Sequence, residues 1–525
     1  MNSLPTELVA QIIFELSCEW NPQLPRYATI NPFWQDVVES QTFRTIHLSS
    51  LDFPRFREIF GFDDADTALG RQRRRRRAKL RHLEYFIDNS SLVEGLDNIN
   101  YVQNDPRFLE SYGRRVWLSI HEIWEHLASW KQISEHPELP SLAISSLKIT
   151  LPSHPWKEEL PYHDYRNHPI PYVVYGRPGI STSSKIQLSP LASVKRLWIR
   201  GSQLWPADLV KAAENLSTIN ELGLWASDWK EEGKTPDAAA RDELAKRLSS
   251  LPHGVEVLVI DLAFETHPDA DFEPIDLCSV SESGEKVDHF SCSVRAASYL
   301  LTSLTLSVGM ISPEVFWPAN SITQDQNNEV FWPNLETFKV NTSMCTAYGT
   351  YAMEKPDLRF VHRFNPHAAH LYDWEVELEG VDFYSRQRPD HKYHDTLCVS
   401  IAKAASRMPR LKVLKLLMRT QWTRELKRHE FSFRAEAVPC GNPRVQWSFE
   451  CNEAQLLGWQ PPREACDLWK EKCGPSLQED VVTVVVLDVD GDADDDSLYQ
   501  DFDWEDDKQT YPVRKRGGPV RPNRS

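Results

Sequence analysis

The sequence predicts an α+β protein: a small all-helical N-terminal module, a long irregular α/β body, a β-rich cap and an acidic tail. Three observations lead there. Leu8, Ile12, Ile13 and Leu16 recur at helical spacing in the first fifty residues. Short apolar runs with internal alternation then recur between 44 and 420, with amphipathic stretches between several of them. Beyond 488 the apolar periodicity stops and aspartate dominates.

The helical module spans 1–48. Ser3 is a suitable N-cap, Pro5 fits a first turn, and Glu7 suits the positive end of the helix dipole. Val9 and Phe14 widen the apolar surface of this first helix. Asn21-Pro22 and Pro25 break the chain, and a short second helix is expected over 26–30. Asn31-Pro32 restarts a helix, with Asn as N-cap and Pro at the first helical position. Its apolar face is expected to hold Phe33, Trp34, Val37 and Val38.

The body spans 44–420. Strand-like runs fall at 44–48, 80–87, 146–151, 194–199, 219–224, 255–262, 301–306, 335–340 and 411–417, many of the form L-x-x-L-x-L. Helical periodicity occupies 207–216, 237–248, 294–301 and 395–408. Strand, helix, strand in repeated order implies a parallel sheet with helices on one side. The cap spans 421–488. In it, 430–437 and 444–451 read as antiparallel strands, 464–473 as a helix and 481–487 as a buried strand. Residues 489–525 are expected to form a disordered tail.

Leu4-Pro5-Thr6-Glu7-Leu8, then Ile12-Ile13 and Leu16, a break, Ile30 and Trp34, and Phe43 leading into Ile46 and Leu48 together resemble the F-box. The match covers about a tenth of the chain. It departs from the family pattern at Asn31-Pro32-Phe33, and residues 19–25 lengthen the first connection. The resemblance implies that Leu4, Pro5, Leu8, Ile12, Ile13, Leu16, Ile30 and Trp34 build the module and its adaptor-binding surface. The implied partners are the adaptor subunit of a cullin-type (SCF) ubiquitin ligase and, through it, cullin. The body is similar to the irregular leucine-rich-repeat regions attached to many F-box proteins, and 396–416 looks like C-terminal regions of fungal F-box proteins. The implied function is that of a substrate-recognition subunit, with no catalytic residue, metal or cofactor of its own and with an unknown protein as its target. A non-ligase binding scaffold with a divergent F-box, and an unrecognised enzyme, are the alternatives.

Composition fits this reading. A chain of 525 residues has room for about two to four domains. Its 41% hydrophobic and 26% charged content is that of a soluble globular protein. The net charge of −17 argues against a general nucleic-acid binder. No secretory signal is visible, and runs such as 481–487 fall short of the ~20 apolar residues that span a bilayer. A cytoplasmic or nuclear location is therefore expected, with the nine cysteines as reduced thiols.

Candidate chemistry is sparse. His121-Glu-Ile-Trp-Glu-His126 resembles a zinc-protease helix, but its histidines stand at i and i+5 rather than i and i+4. His367, His370, His391 and His394 form two His-x-x-His pairs, with Cys398 nearby at a spacing that fits no common zinc site. Cys440, Cys451, Cys466 and Cys473 contain no C-x-x-C. The aspartates of 488–496 lack the glycine and closing glutamate positions of a calcium loop. No nucleophile elbow, Walker loop or dinucleotide-binding glycine motif occurs. The run 71–79, RQRRRRRAK, reads either as a solvated loop before a strand or as a nuclear-import or phosphate-binding patch.

Overall fold

The computed structural model describes residues 8–13, 24–61, 67–88, 106–130, 144–151, 187–201, 206–227, 238–263, 274–280, 284, 286–318, 332–354, 388–419, 430–436, 443–450, 460–474 and 477–483. The expected acidic tail, Leu4, Pro5, Leu16, the pair His367/His370, Cys440 and Cys451 lie outside these residues.

The chain is α+β and is built on one large, mostly parallel sheet. The strands are β1 (Thr45–Ser49), β2 (His82–Phe86), β3 (Ser146–Thr150), β4 (Arg196–Arg200), β5 (Glu221–Ser227) and β6 (Val257–Ala263). Two short strands, β7 (Ser279–Val280) and β8 (Lys286–Val287), pair only with each other. The main sheet resumes with β9 (Ser303–Val308) and β10 (Thr337–Ser343). A second short pair, β11 (Met353–Glu354) and β12 (Arg388–Pro389), follows. The last four strands are β13 (Val413–Arg419), β14 (Glu430–Glu436), β15 (Arg444–Glu450) and β16 (Gln478–Thr483). Among the described residues, twelve strands form the main sheet in the order β1-β2-β3-β4-β5-β6-β9-β10-β13-β14-β15-β16, so each new strand of this sheet is added beside its predecessor. Pairing is parallel from β1 to β13, antiparallel across β14, and parallel again between β15 and β16. Thus Glu430–Glu436 and Arg444–Glu450 are antiparallel neighbours, and β14 of the expected cap pairs directly with β13 of the expected body.

Register explains why these runs become strands. Leu83, Leu147, Leu197, Leu222, Leu258, Leu304, Phe338 and Leu414 stand opposite one another in a single row. Two residues further along, Tyr85, Ile149, Ile199, Leu224, Ile260, Leu306, Val340, Leu416, Phe433 and Trp447 form a second row. Every one of these side chains is buried in one continuous apolar cluster. A slip of one residue would turn a whole row to the other face, so the alternation fixes the register.

Helices supply the other half of that cluster. They are α4 (Phe53–Phe60), α6 (Pro106–Ser129), α7 (Pro206–Ala213), α8 (Ala238–Leu248), α9 (His289–Ser298), α10 (His391–Ser406) and α11 (Arg463–Cys473), preceded at the N-terminus by α1 (8–13), α2 (Leu24–Tyr27) and α3 (Pro32–Thr42). Val210, Leu244, Val294, Leu397 and Trp469 bring successive helices onto the apolar rows. Lys472 of α11 donates to the carbonyls of Ala405 and Met408 at 2.5 and 2.9 Å, a cation satisfying the C-terminus of α10.

The structure corrects three expectations. The basic run is no loop: α5 (Ala68–Lys79) contains it, capped by Thr67, whose hydroxyl accepts from the Gly70 amide at 2.9 Å. Two helices missing from the periodicity reading, α4 and α6, bury Phe53, Phe56 and Phe60 and Trp117, Ile120 and Trp124. The expected helix at 294–301 starts earlier, at His289, where Asp288 caps it by accepting from the Ser291 amide.

Candidate functional site

The N-terminal helices build a core of their own. Val9 and Ile13 of α1 meet Trp34, Val37 and Val38 of α3, with Tyr27 stacked on Trp34 at 6.2 Å between ring centres. The restart at Asn31 has the capped form that the residues suggest: Asn31 Oδ1 accepts from the Trp34 amide at 3.0 Å, and Pro32 opens the helix. This core is separate from the cluster beneath the sheet.

The residues implied as an adaptor surface therefore divide. Leu8, Ile12 and Ile30 are exposed, at 47, 41 and 46% of their surface. Ile13 and Trp34 are buried and hold the helices together. Phe33, expected on one apolar face with Trp34, Val37 and Val38, is 39% exposed, whereas those three are buried. Leu8 and Ile12 share one side of α1 by their i, i+4 spacing. Ile30 lies in the bend just before the Asn31 cap, and Phe33 in the first turn of α3. Four large apolar side chains held at the surface of one small helical unit make it a candidate protein-docking face.

The second candidate is the polar face of the sheet, opposite the apolar rows. His47, Glu84, Lys148, Trp198, Gly223, Val259, Thr305, Lys339, Lys415 and Arg434 form its central row. Glu84 accepts from His47 at 2.9 Å and lies 3.6 Å from Lys148. The hydrogen bond to His47 and the nearby Lys148 charge hold the Glu84 carboxyl below its ordinary value. Beside them Trp198 and Trp225 pack with ring centres 5.1 Å apart. Trp198 Nε1 donates to Glu221 Oε1 at 2.7 Å, and Arg196 Nε lies 3.0 Å from the other oxygen of that carboxylate. Gly223 makes this platform possible, because a Cβ there would lie 2.3 and 2.6 Å from Trp225 ring atoms. Sequence reasoning missed the platform. Its signal was tryptophan at outward positions of two successive strands.

The histidine motifs are pulled apart. On α6 His121 lies 3.8 Å from Glu125, while His126 packs edge-on against Phe53 and Phe56. Burial, with Arg57 and Arg77 nearby, pushes His126 down to about 4. His391 is exposed, whereas His394 is buried against Phe431, with Nδ1 3.0 Å from the Asp390 carbonyl. Burial pushes His394 down to about 4 as well. The buried Cys398 thiol is raised by burial. Among the described residues no group of three or more His, Cys, Asp or Glu comes together to hold a metal ion, and no helix is long and apolar enough to cross a membrane.

Comparison with protein-family models, with curated proteins and with solved structures returns no match for this chain.

Proposed function

We propose that this protein is a substrate-recognition subunit of a cullin-type ubiquitin ligase. The N-terminal helices act as an F-box that docks on the adaptor, and the polar sheet face receives a target protein. One observation carries the reading. Leu8 and Ile12 of α1, Phe33 of α3 and Ile30 just before α3 are exposed on a helical unit that has a separate core and leads directly into the first strand of the sheet. The monotonic strand order supports an irregular leucine-rich-repeat array, since each strand with its crossover stacks only on its neighbours. The chain's contribution to catalysis is proximity: it raises the local concentration of target lysines beside the transferring enzyme.

Co-purification of the full chain with the adaptor and cullin tests this. Leu8→Asp plus Ile12→Asp alters exposed positions only, so it should abolish co-purification while leaving the fold intact. Undiminished adaptor recovery by that variant would falsify the docking assignment. Asn31-Pro32-Phe33, where the family pattern is broken, favours one other reading, a scaffold that binds the adaptor outside a ligase. Recovery of adaptor without cullin would select it.

A further inference from the structure

We infer that α5 is an electrostatic latch between the N-terminal helices and the sheet, with Arg76 and Lys79 as positioning residues that set the orientation of the docking face. The significance for ubiquitin transfer rests on the reading above; the latch itself does not.

The two apolar clusters are separate, so the junction between them is held largely by other means. Covalently, the end of α3 runs through Phe43, whose ring packs edge-on against Phe60 at 5.4 Å, into β1. Among the described residues, charged side chains of α5 add a second contact. Arg76 Nη2 lies 3.2 Å from Glu39 Oε1, and its guanidinium sits 5.3 Å from the centre of the Phe43 ring. Lys79 Nζ lies 2.6 Å from Asp36 Oδ1 and 3.8 Å from Glu39 Oε2, and donates to the Asp36 carbonyl at 2.9 Å. Asp36 and Glu39 lie across α3 from Trp34, Val37 and Val38. One side of α3 is thus apolar and faces α1; the other is acidic and faces α5.

The opposite half of α5 is fixed to the body. Arg73 Nε donates to the Glu58 carbonyl at 2.8 Å, and Arg77 Nη1 donates to the Gly61 carbonyl at 3.0 Å. Both bonds end at the C-terminus of α4, where free carbonyls and the helix dipole favour a cation. Arg77 is itself buried, 5.8 Å from the Trp130 ring centre. The basic run therefore carries two grips: Arg73 and Arg77 on α4, and Arg76 and Lys79 on α3. Arginines at i, i+3 and i+4 repel one another in an isolated helix, so α5 depends on both sets of partners. The side chains of Arg76, Lys79 and Glu39 are 20, 13 and 13% exposed, so salt screens the two pairs to Glu39 less than pairs in open water, whereas Asp36 is 63% exposed and its pair with Lys79 is screened more.

Hydrogen exchange of the full chain, without adaptor, tests the latch at two sites, α3 and β9. Arg76→Glu plus Lys79→Glu places like charges against Asp36 and Glu39. Amide exchange in α3 should then rise about tenfold or more while β9 is unchanged. Adding Asp36→Lys plus Glu39→Arg to the same chain should restore the protection of α3. A merely structural role for the side chains would not give that rescue. Unchanged exchange in α3, an equal rise in α3 and β9, or failure of the charge-swapped chain to recover would each overturn the latch. Adaptor recovery, measured separately, bears on the docking reading alone.

Discussion

Among the described residues, five buried side chains hold the N-terminal helices together, whereas the sheet and its helices share one apolar cluster running from Leu48 to Trp469. Small units bury too little surface to be stable without neighbours. The N-terminal helices therefore lean on α5, through charge, and expose part of their apolar surface. The sheet needs no such support, because every strand but the edge strands β1 and β16 is clamped between two others, and helices share its apolar cluster. A region with a small core and exposed apolar residues is suited to docking. A region with a large core is suited to holding a shaped surface still.

Substitutions that strike one region should therefore leave the other alone. The largest effect is expected from Leu306→Ala, at the centre of the second apolar row. It should cost about 2–5 kcal/mol of global stability in chemical denaturation. Trp34→Ala should instead release exchange protection in α3 and leave the main unfolding transition nearly in place. A common loss from both substitutions would mean that the two cores unfold as one. Gly223→Ala comes next. The added methyl must displace the Trp225 indole, at about 1–3 kcal/mol, and should change tryptophan fluorescence.

A third prediction concerns acid. His394 is fully buried and its folded value, about 4, lies below the ordinary 6.5. The unfolded chain therefore binds the proton more readily. Stability present above pH 6.5 is lost as the pH falls through the folded value, at up to about 1.4 kcal/mol per pH unit. His394→Phe should flatten denaturation midpoints between pH 6.5 and 4, and a slope equal to the parent's would count against it. The smallest effect on stability, within about 0.5 kcal/mol, is expected from Leu8→Asp and Ile12→Asp, because both positions are exposed.

The sheet was largely legible in the sequence because alternation and register follow from one cause, burial of every second residue. Boundaries moved by one to three positions where a loop residue such as Val194 or Leu335 is also buried and lengthens the apparent run. The helix α5 was not legible, since RQRRRRRAK has no apolar period and its partners Asp36, Glu39, Glu58 and Gly61 lie elsewhere in the chain. The docking face was half legible. Spacing named Leu8 and Ile12, and the F-box resemblance added Ile30, but periodicity alone does not say which side of a doubly apolar helix turns inward. Packing against Trp34 decides that for Val9 and Ile13. The Trp198–Trp225 platform depends on cross-strand register, which no single run contains.

The division between a docking module and a presenting sheet is tested most directly by calorimetric titration of the purified full chain with purified ligase adaptor. A one-to-one complex is predicted, weakened about 100-fold by Ile12→Asp and unaffected by Trp198→Ala. Equal weakening by both substitutions, or binding that ignores Ile12→Asp, would contradict the account.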